Sequence, residues 1–184
     1  ALGQIGGREA LQTATTMLYD DDPLLRVSTV RSLERLPVHQ RFQLLMPLVD
    51  DDITAVRMEV ASSLAGVPLE QIDPAQAQQL SALFKEYVEI QQQHADMPAI
   101  QLQLGIFYVT RGDSKAAEAA YREALYLNPQ LIPAYLNLAD LLRGASRDVE
   151  ARELLLQALQ VDPQNGSTLH ALGLLETRSS DPKA

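Results

Sequence analysis

The chain of 184 residues has no cysteine and no tryptophan. The missing thiols exclude disulfides, thiolate metal sites, covalent haem attachment and cysteine nucleophiles. They fit a cytoplasmic or a periplasmic protein alike. Aromatic residues make up only 5%, so Leu, Ala and Val must do most of the packing. No apolar run approaches the roughly 20 residues that cross a bilayer, so membrane insertion is not expected, and no signal peptide is visible. Positive charge is also scarce: 15 Lys and Arg stand against 24 Asp and Glu, a net charge of −9. Residues 1–97 hold 7 basic and 14 acidic groups (−7), and residues 98–184 hold 8 and 10 (−2). A negative field without a basic stripe argues against nucleic acid and anionic membranes as partners. What the chain does have is 46% hydrophobic content, enough for a sizeable core in one or two domains.

That content is arranged in repeats. Leu2-Gly3-Gln4-Ile5, Leu33-Glu34-Arg35-Leu36 and Leu64-Ala65-Gly66-Val67 line up at an offset of 31, and Gly6, Pro37 and Pro68 follow them as helix stops. Leu25-Arg26-Val27 aligns with Val56-Arg57-Met58, Asp20-Asp21 with Asp51-Asp52, and Leu11, Ala14 and Leu18 with Phe42, Leu45 and Val49. Each unit reads as two helices with a break, over roughly Arg8–Tyr19, Pro23–Leu36, His39–Val49 and Ile53–Ala65. Pro47 is expected to kink or end its helix. The aspartates stand where one helix gives way to the next, where they can cap free N–H groups. Arg26 and Arg57 are expected to pair with neighbouring aspartates. With its Asp22-Pro23-Leu24-Leu25-Arg26 signature, the segment up to about residue 72 resembles the short bacterial HEAT repeats of the phycobilisome-lyase type. The second copy has Asp52-Ile53 in place of Asp-Pro. The resemblance implies a right-handed stack of antiparallel helix pairs; it does not imply lyase activity.

From Pro98 the period becomes 34. Leu104-Gly105, Leu138-Ala139 and Leu172-Gly173 repeat at that spacing, as do Ala117 and Ala151, Tyr121 and Leu155, Ala124 and Ala158, and Pro129 and Pro163. Small residues let helices approach, large ones fill the gaps, and Asn128-Pro129 and Asp162-Pro163 close each unit. This pattern closely resembles the tetratricopeptide repeat (TPR). It places one repeat over 98–131, a second over 132–165, and a partial third with a tail over 166–184. Leu142 and Ser146 stand where the first repeat has Tyr108 and Gly112.

Residues 73–97 join the two patterns. Asp73 can cap a helix that begins at Pro74, with Gln76 as the other half of a capping box. Leu80, Leu83, Phe84, Tyr87 and Val88 then form an apolar stripe. Leu83, Tyr87 and Ile90 lie 34 residues before Ala117, Tyr121 and Ala124. One helix over 74–95 is therefore expected to complete the first array and open the second; the alternative is a hinge at Asp96-Met97-Pro98.

Residues for chemistry are missing. His39, His94 and His170 lie far apart on different elements, so no metal site is expected. A calcium loop starting at Asp20 would need Gly and Glu where Leu25 and Arg31 stand. Arg111-Gly112-Asp113 falls on an internal repeat turn, and Asn165-Gly166-Ser167 is a sequon by letters alone. With no nucleophile constellation or phosphate loop, neither an enzyme nor a cofactor is expected.

The TPR resemblance implies a groove lined by the first helix of each pair. The corresponding positions are Ala99, Leu102, Gln103, Ile106, Val109 and Thr110, then Leu136, Asn137, Asp140 and Arg143, then Ser167, His170, Leu174 and Arg178. Asn137 either bonds an extended peptide backbone or bonds a neighbouring helix. Some TPR proteins clamp a C-terminal carboxylate with Lys and Asn. Leu102 and Ile106 stand at those positions and Asp140 has the wrong sign, so that clamp is not expected. The reading is an all-α, right-handed α-solenoid of antiparallel helix pairs, HEAT-like and then TPR, serving as a scaffold for a peptide or protein partner. Two alternatives stay open: an accessory segment of a larger enzyme or multihaem cytochrome, and a homodimer formed through exposed terminal repeats.

Overall fold

The structure is a computed structural model that describes residues 7–180, with the side chains of 11–177. The Leu2–Ile5 copy of the 31-residue motif lies outside the described residues. Within them every regular element is helical, and the fold is an all-α array of the solenoid class. The chain divides into two compact units, one running through Ile90 and the other starting at Gln91.

The first unit holds α1 (Gly7–Met17), α2 (Pro23–Ser32), α3 (Val38–Leu45), α4 (Thr54–Leu64) and α5 (Pro74–Gln92). Ala14, Leu18, Val30, Leu33, Leu45, Val49, Ala61 and Leu64 are buried, and α4 packs on α2 and α3. Two helices are shorter than the sequence pattern predicts. α2 stops at Ser32 and tightens into a 3-10 turn over Leu33–Arg35. α3 stops at Leu45 and gives way to a 3-10 turn over Met46–Leu48, as Pro47 demands, because its missing N–H breaks the ladder there.

The helix starts correct the expected capping register. Asp22 caps α2, its carboxylate accepting from the Leu24 N–H at 2.9 Å. At offset 31 its counterpart is Ile53, not Asp52, and Ile53 opens α4 without any side-chain cap. Arg26 reaches Asp51 as expected. Arg57 instead takes the Glu86 carboxylate, together with the Asp51 carbonyl at 2.6 Å. In α5, Asp73 accepts from the N–H groups of Ala75 at 2.9 Å and Gln76 at 3.4 Å. The helix runs unbroken to Gln92, three residues short of the expected end, with Leu80, Leu83, Phe84 and Tyr87 buried.

The second unit holds α6 (Pro98–Thr110), α7 (Ser114–Leu127), α8 (Ile132–Gly144), α9 (Asp148–Val161) and α10 (Gly166–Ser180). First helices start at 98, 132 and 166, and second helices at 114 and 148, so the 34-residue spacing of the sequence is the spacing of the elements. Each helix packs on the next in sequence. The core of the later helices is made by Tyr121, Tyr135, Leu138, Leu142, Leu155 and Leu175 among small alanines. Gly105 gives Tyr121 its place: a Cβ there would stand 2.2 Å from the ring. The internal turns need left-handed backbone. Gly112 supplies it at φ +80, and Ser146, its counterpart, adopts φ 59 in spite of its side chain. Asp113 then caps α7 through the Ala116 N–H at 2.9 Å. Asn165 opens α10, its amide oxygen accepting from the backbone N–H of Thr168 at 3.1 Å and the Thr168 hydroxyl at 3.0 Å. The Arg-Gly-Asp and Asn-Gly-Ser triplets thus carry structural roles.

Candidate protein-interaction groove

Helices α6 and α8 are the first helices of adjacent pairs, and they pack side by side. Repeating at 34 residues places equivalent positions of the two on one surface. Between them lies a cleft of about 350 Å³ lined by Ile106, Val109 and Thr110 of α6, Tyr121 of α7, and Asn137, Asp140 and Leu141 of α8. Ile106 is 46% exposed and Val109 43% exposed. Two neighbouring β-branched side chains left open to water are an apolar wall without a cover.

The polar side of the cleft is partly engaged from within. Asn137 of α8 faces the Tyr121 hydroxyl of α7 closely enough to act on it. Burial pushes the Tyr121 phenol up to about 12, the Asn137 amide pulls the other way, and the nearby Asp140 carboxylate adds to the rise. The phenol is therefore neutral, able to donate or accept. Asp140 pairs with Arg143 one turn along the same helix, both exposed, which offsets the acidic charge at the rim.

The structure brings only part of the expected set together. Ile106, Asn137 and Asp140 meet in the cleft, along with Val109 and Thr110. Arg143 reaches it through Asp140. Leu102 is half-buried and packs against the core. Gln103 is exposed and accepts from the Gln91 side-chain amide at 3.2 Å. His170 is exposed on α10, away from the cleft lining, and the Arg178 side chain lies outside the described residues. Tyr121 belongs to the cleft although it stands on a second helix. The signal for it was the glycine opposite, since a large residue facing Gly105 is drawn through to the far side of the pair.

A larger cleft, about 830 Å³, lies in the first unit among Asp50, Asp51, Asp52, Arg57, Gln79 and Glu86. Three of its carboxylates are engaged: Asp51 by Arg26, Glu86 by Arg57 and Asp50 by the Gln79 amide at 3.3 Å. No described helix is long and apolar enough to cross a membrane.

Residues 98–131, which hold α6 and α7, match the family model for a tetratricopeptide repeat. The chain contains a TPR repeat. The crystal structure of a thermophilic TPR protein in Thermus thermophilus is similar to this chain with a TM-score of 0.60 and 19% identity, covering 92% of this chain and 90% of that one. Likeness at that identity shows the fold alone. No curated protein matches the chain. TPR repeats generally mediate contacts between proteins, and the α6–α8 cleft leaves Ile106 and Val109 open to water.

Proposed function

We propose that this protein is a protein-binding scaffold, and that its TPR unit holds a segment of its partner along α6 and α8. The observation that carries the reading is the exposure of Ile106 and Val109 in a cleft whose charged lining residue, Asp140, is already paired with Arg143. Such a cleft gains little from a charged ligand and much from an apolar side chain, since covering apolar surface is worth about 25 cal/mol per Å². A partner presenting one or two apolar side chains on an extended backbone fits it. Thr110 and the Tyr121 hydroxyl remain beside them for main-chain hydrogen bonds. Affinity is expected to be modest, because the cleft is short and the partner segment loses entropy as it becomes ordered. The HEAT-like character of the first unit belongs to the same reading as a supporting array, argued from its 31-residue period and its paired helices.

The test is selection of peptides from a random display library on the immobilised full chain, followed by titration of fluorescent copies of the selected sequences. Ile106→Glu and Val109→Glu change exposed positions and should leave the fold intact. Each is expected to weaken binding by about tenfold or more, while Val149→Glu, a highly exposed apolar position on α9, leaves it unchanged. Peptides held equally well by all the variants would remove the cleft from consideration.

A further inference from the structure

The first unit contains two copies of one turn, and only the second is complete. Asp51 in the second copy makes three contacts. Its carboxylate takes a two-pronged contact from Arg26 of the copy before it, with Nε donating to Oδ2 and Nη2 to Oδ1, both at 2.9 Å. The pair is largely withdrawn from water, 12% and 8% exposed. Asp51 Oδ1 also accepts from the Ile53 N–H at 2.9 Å, and its carbonyl accepts from Arg57 Nη1 at 2.6 Å. Asp20, 31 residues earlier, repeats the last two: Oδ1 accepts from the Asp22 N–H at 2.9 Å, and the carbonyl accepts from Arg26 Nη1 at 2.7 Å. Among the described residues, no arginine brings Asp20 the two-pronged contact that Asp51 receives.

The apolar residues tell the same story independently. Positions that face the interior of each pair are buried in both copies: Ala14 and Leu45, Leu18 and Val49, Val30 and Ala61, Leu33 and Leu64. Other positions are open in the first copy and buried in the second. Leu25 is 41% exposed where its counterpart Val56 is fully buried, and Met17 is 43% exposed where Leu48 is 4%. Val56 stands on α4, which packs on α2. At Val56 the cover of the second copy comes from the first, and among the described residues Leu25 on the first copy has no such cover.

We propose that the face of α1 and α2 around Asp20 docks a further helix pair of the same 31-residue pattern, which presents an arginine to Asp20 and covers Met17 and Leu25. The argument is continuity with the contact between the two copies, where charge and apolar cover arrive together. An anionic acceptor already held in its turn is matched to the planar, two-pronged geometry of a guanidinium. A lysine at that position would supply charge without the fork. This face belongs to the first unit and the α6–α8 cleft to the second, so the proposal stands or falls without the cleft.

The experiment supplies such a pair. Replacing residues 1–7 with a copy of residues 8–38 places an arginine 25 residues ahead of Asp20, the separation of Arg26 from Asp51. The chain has no cysteine, so Leu25→Cys gives a single thiol whose labelling rate reports cover. Labelling is expected to slow by about tenfold or more in the extended protein. Asp20→Asn should lower Tm clearly in the extended protein and little in the original, and changing the added arginine to alanine should erase that difference. Equal labelling in both proteins would overturn the proposal. So would an equal effect of Asp20→Asn, or an extension that adds no helical circular dichroism. A thiol already protected in the original chain, and more so as concentration rises, would assign the face to a second copy and overturn it too.

Discussion

At position 105 the helix pair depends on a missing side chain. Gly105 and Tyr121 in the α6–α7 pair correspond at 34 residues to Ala139 and Leu155 in the α8–α9 pair. A Cβ on residue 105 would overlap the tyrosine ring at 2.2 Å, so the large ring requires the glycine, and the smaller leucine tolerates alanine. Gly105→Ala improves helix propensity by up to about 1 kcal/mol, but overpacking of this kind costs about 1–3 kcal/mol. The variant should therefore be less stable than the wild type. Tyr121→Leu, which rebuilds the pairing of the second unit, should recover part of the loss. A double-mutant cycle read by chemical denaturation is expected to give a coupling of about 1 kcal/mol or more. Simple additivity would show that the ring does not depend on the glycine. The same tyrosine reaches the cleft beside Asn137, so one glycine sets both the packing and one wall of the candidate site. That the tyrosine faces a small residue was legible in the 34-residue alignment. Its approach to Asn137 was not, because two readings of that asparagine fit the spacing.

At the scale of elements, α9 is started differently from α7. Asp113 caps α7, but its counterpart Arg147 opens α9 and offers no acceptor. The guanidinium instead bridges Glu118 of α7 at 2.6 Å and Glu150 of α9 at 2.6 Å, and Arg122 joins through Glu118 at 2.8 Å. A local cap has been exchanged for a tie between consecutive second helices. Arg147 first, and then Arg122, hold the Glu118 carboxyl below the usual carboxylate range in spite of partial burial. A carboxyl whose folded value is lowered stabilises the protein above its unfolded value, near 4.3, and loses that contribution as pH falls through the folded value. Thermal stability should therefore hold from about pH 8 to 5 and decline below about pH 4.5. Glu118→Gln should lower stability at pH 7 by no more than about 1 kcal/mol, since its arginine partners are themselves more than a third exposed, and should flatten part of the acid decline in Tm. An unchanged acid slope would show that the tie carries no stability. Helix existence was legible from periodicity here and in the first unit. Helix ends were not. The cap at Ile53 was misplaced by one residue because three aspartates in a row leave the register open, and the Arg57 partner was missed because Glu86 stands on a helix that follows no 31-residue period.

For the whole molecule, the sign of the charge matters less than how the cations are used. The net charge of −9 already disfavours polyanions, and the ion pairs remove much of the remaining positive surface. Arg26, Arg31 and Arg57 in the first unit, and Arg122, Arg143, Arg147 and Arg152 in the second, each face a carboxylate. An arginine that moved to a phosphate would abandon such a carboxylate, and where the pair is shielded, as at Arg26 and Asp51, the exchange is unfavourable. Binding to nucleic acid draws its strength from phosphate contacts that release counterions, and among the described residues these seven arginines already face carboxylates. Helical repeat proteins serve both nucleic-acid and protein partners, so the distinction rests on this use of arginine and not on the fold. A labelled 20-base-pair duplex or single strand is expected to show no rise in fluorescence anisotropy with protein up to about 50 μM at 50 mM salt, where nonspecific binders with dissociation constants of about 1–100 μM register. Saturable binding that weakens steeply with added salt would mean that the arginines exchange partners, and the protein-scaffold reading would then have to give way to a nucleic-acid one.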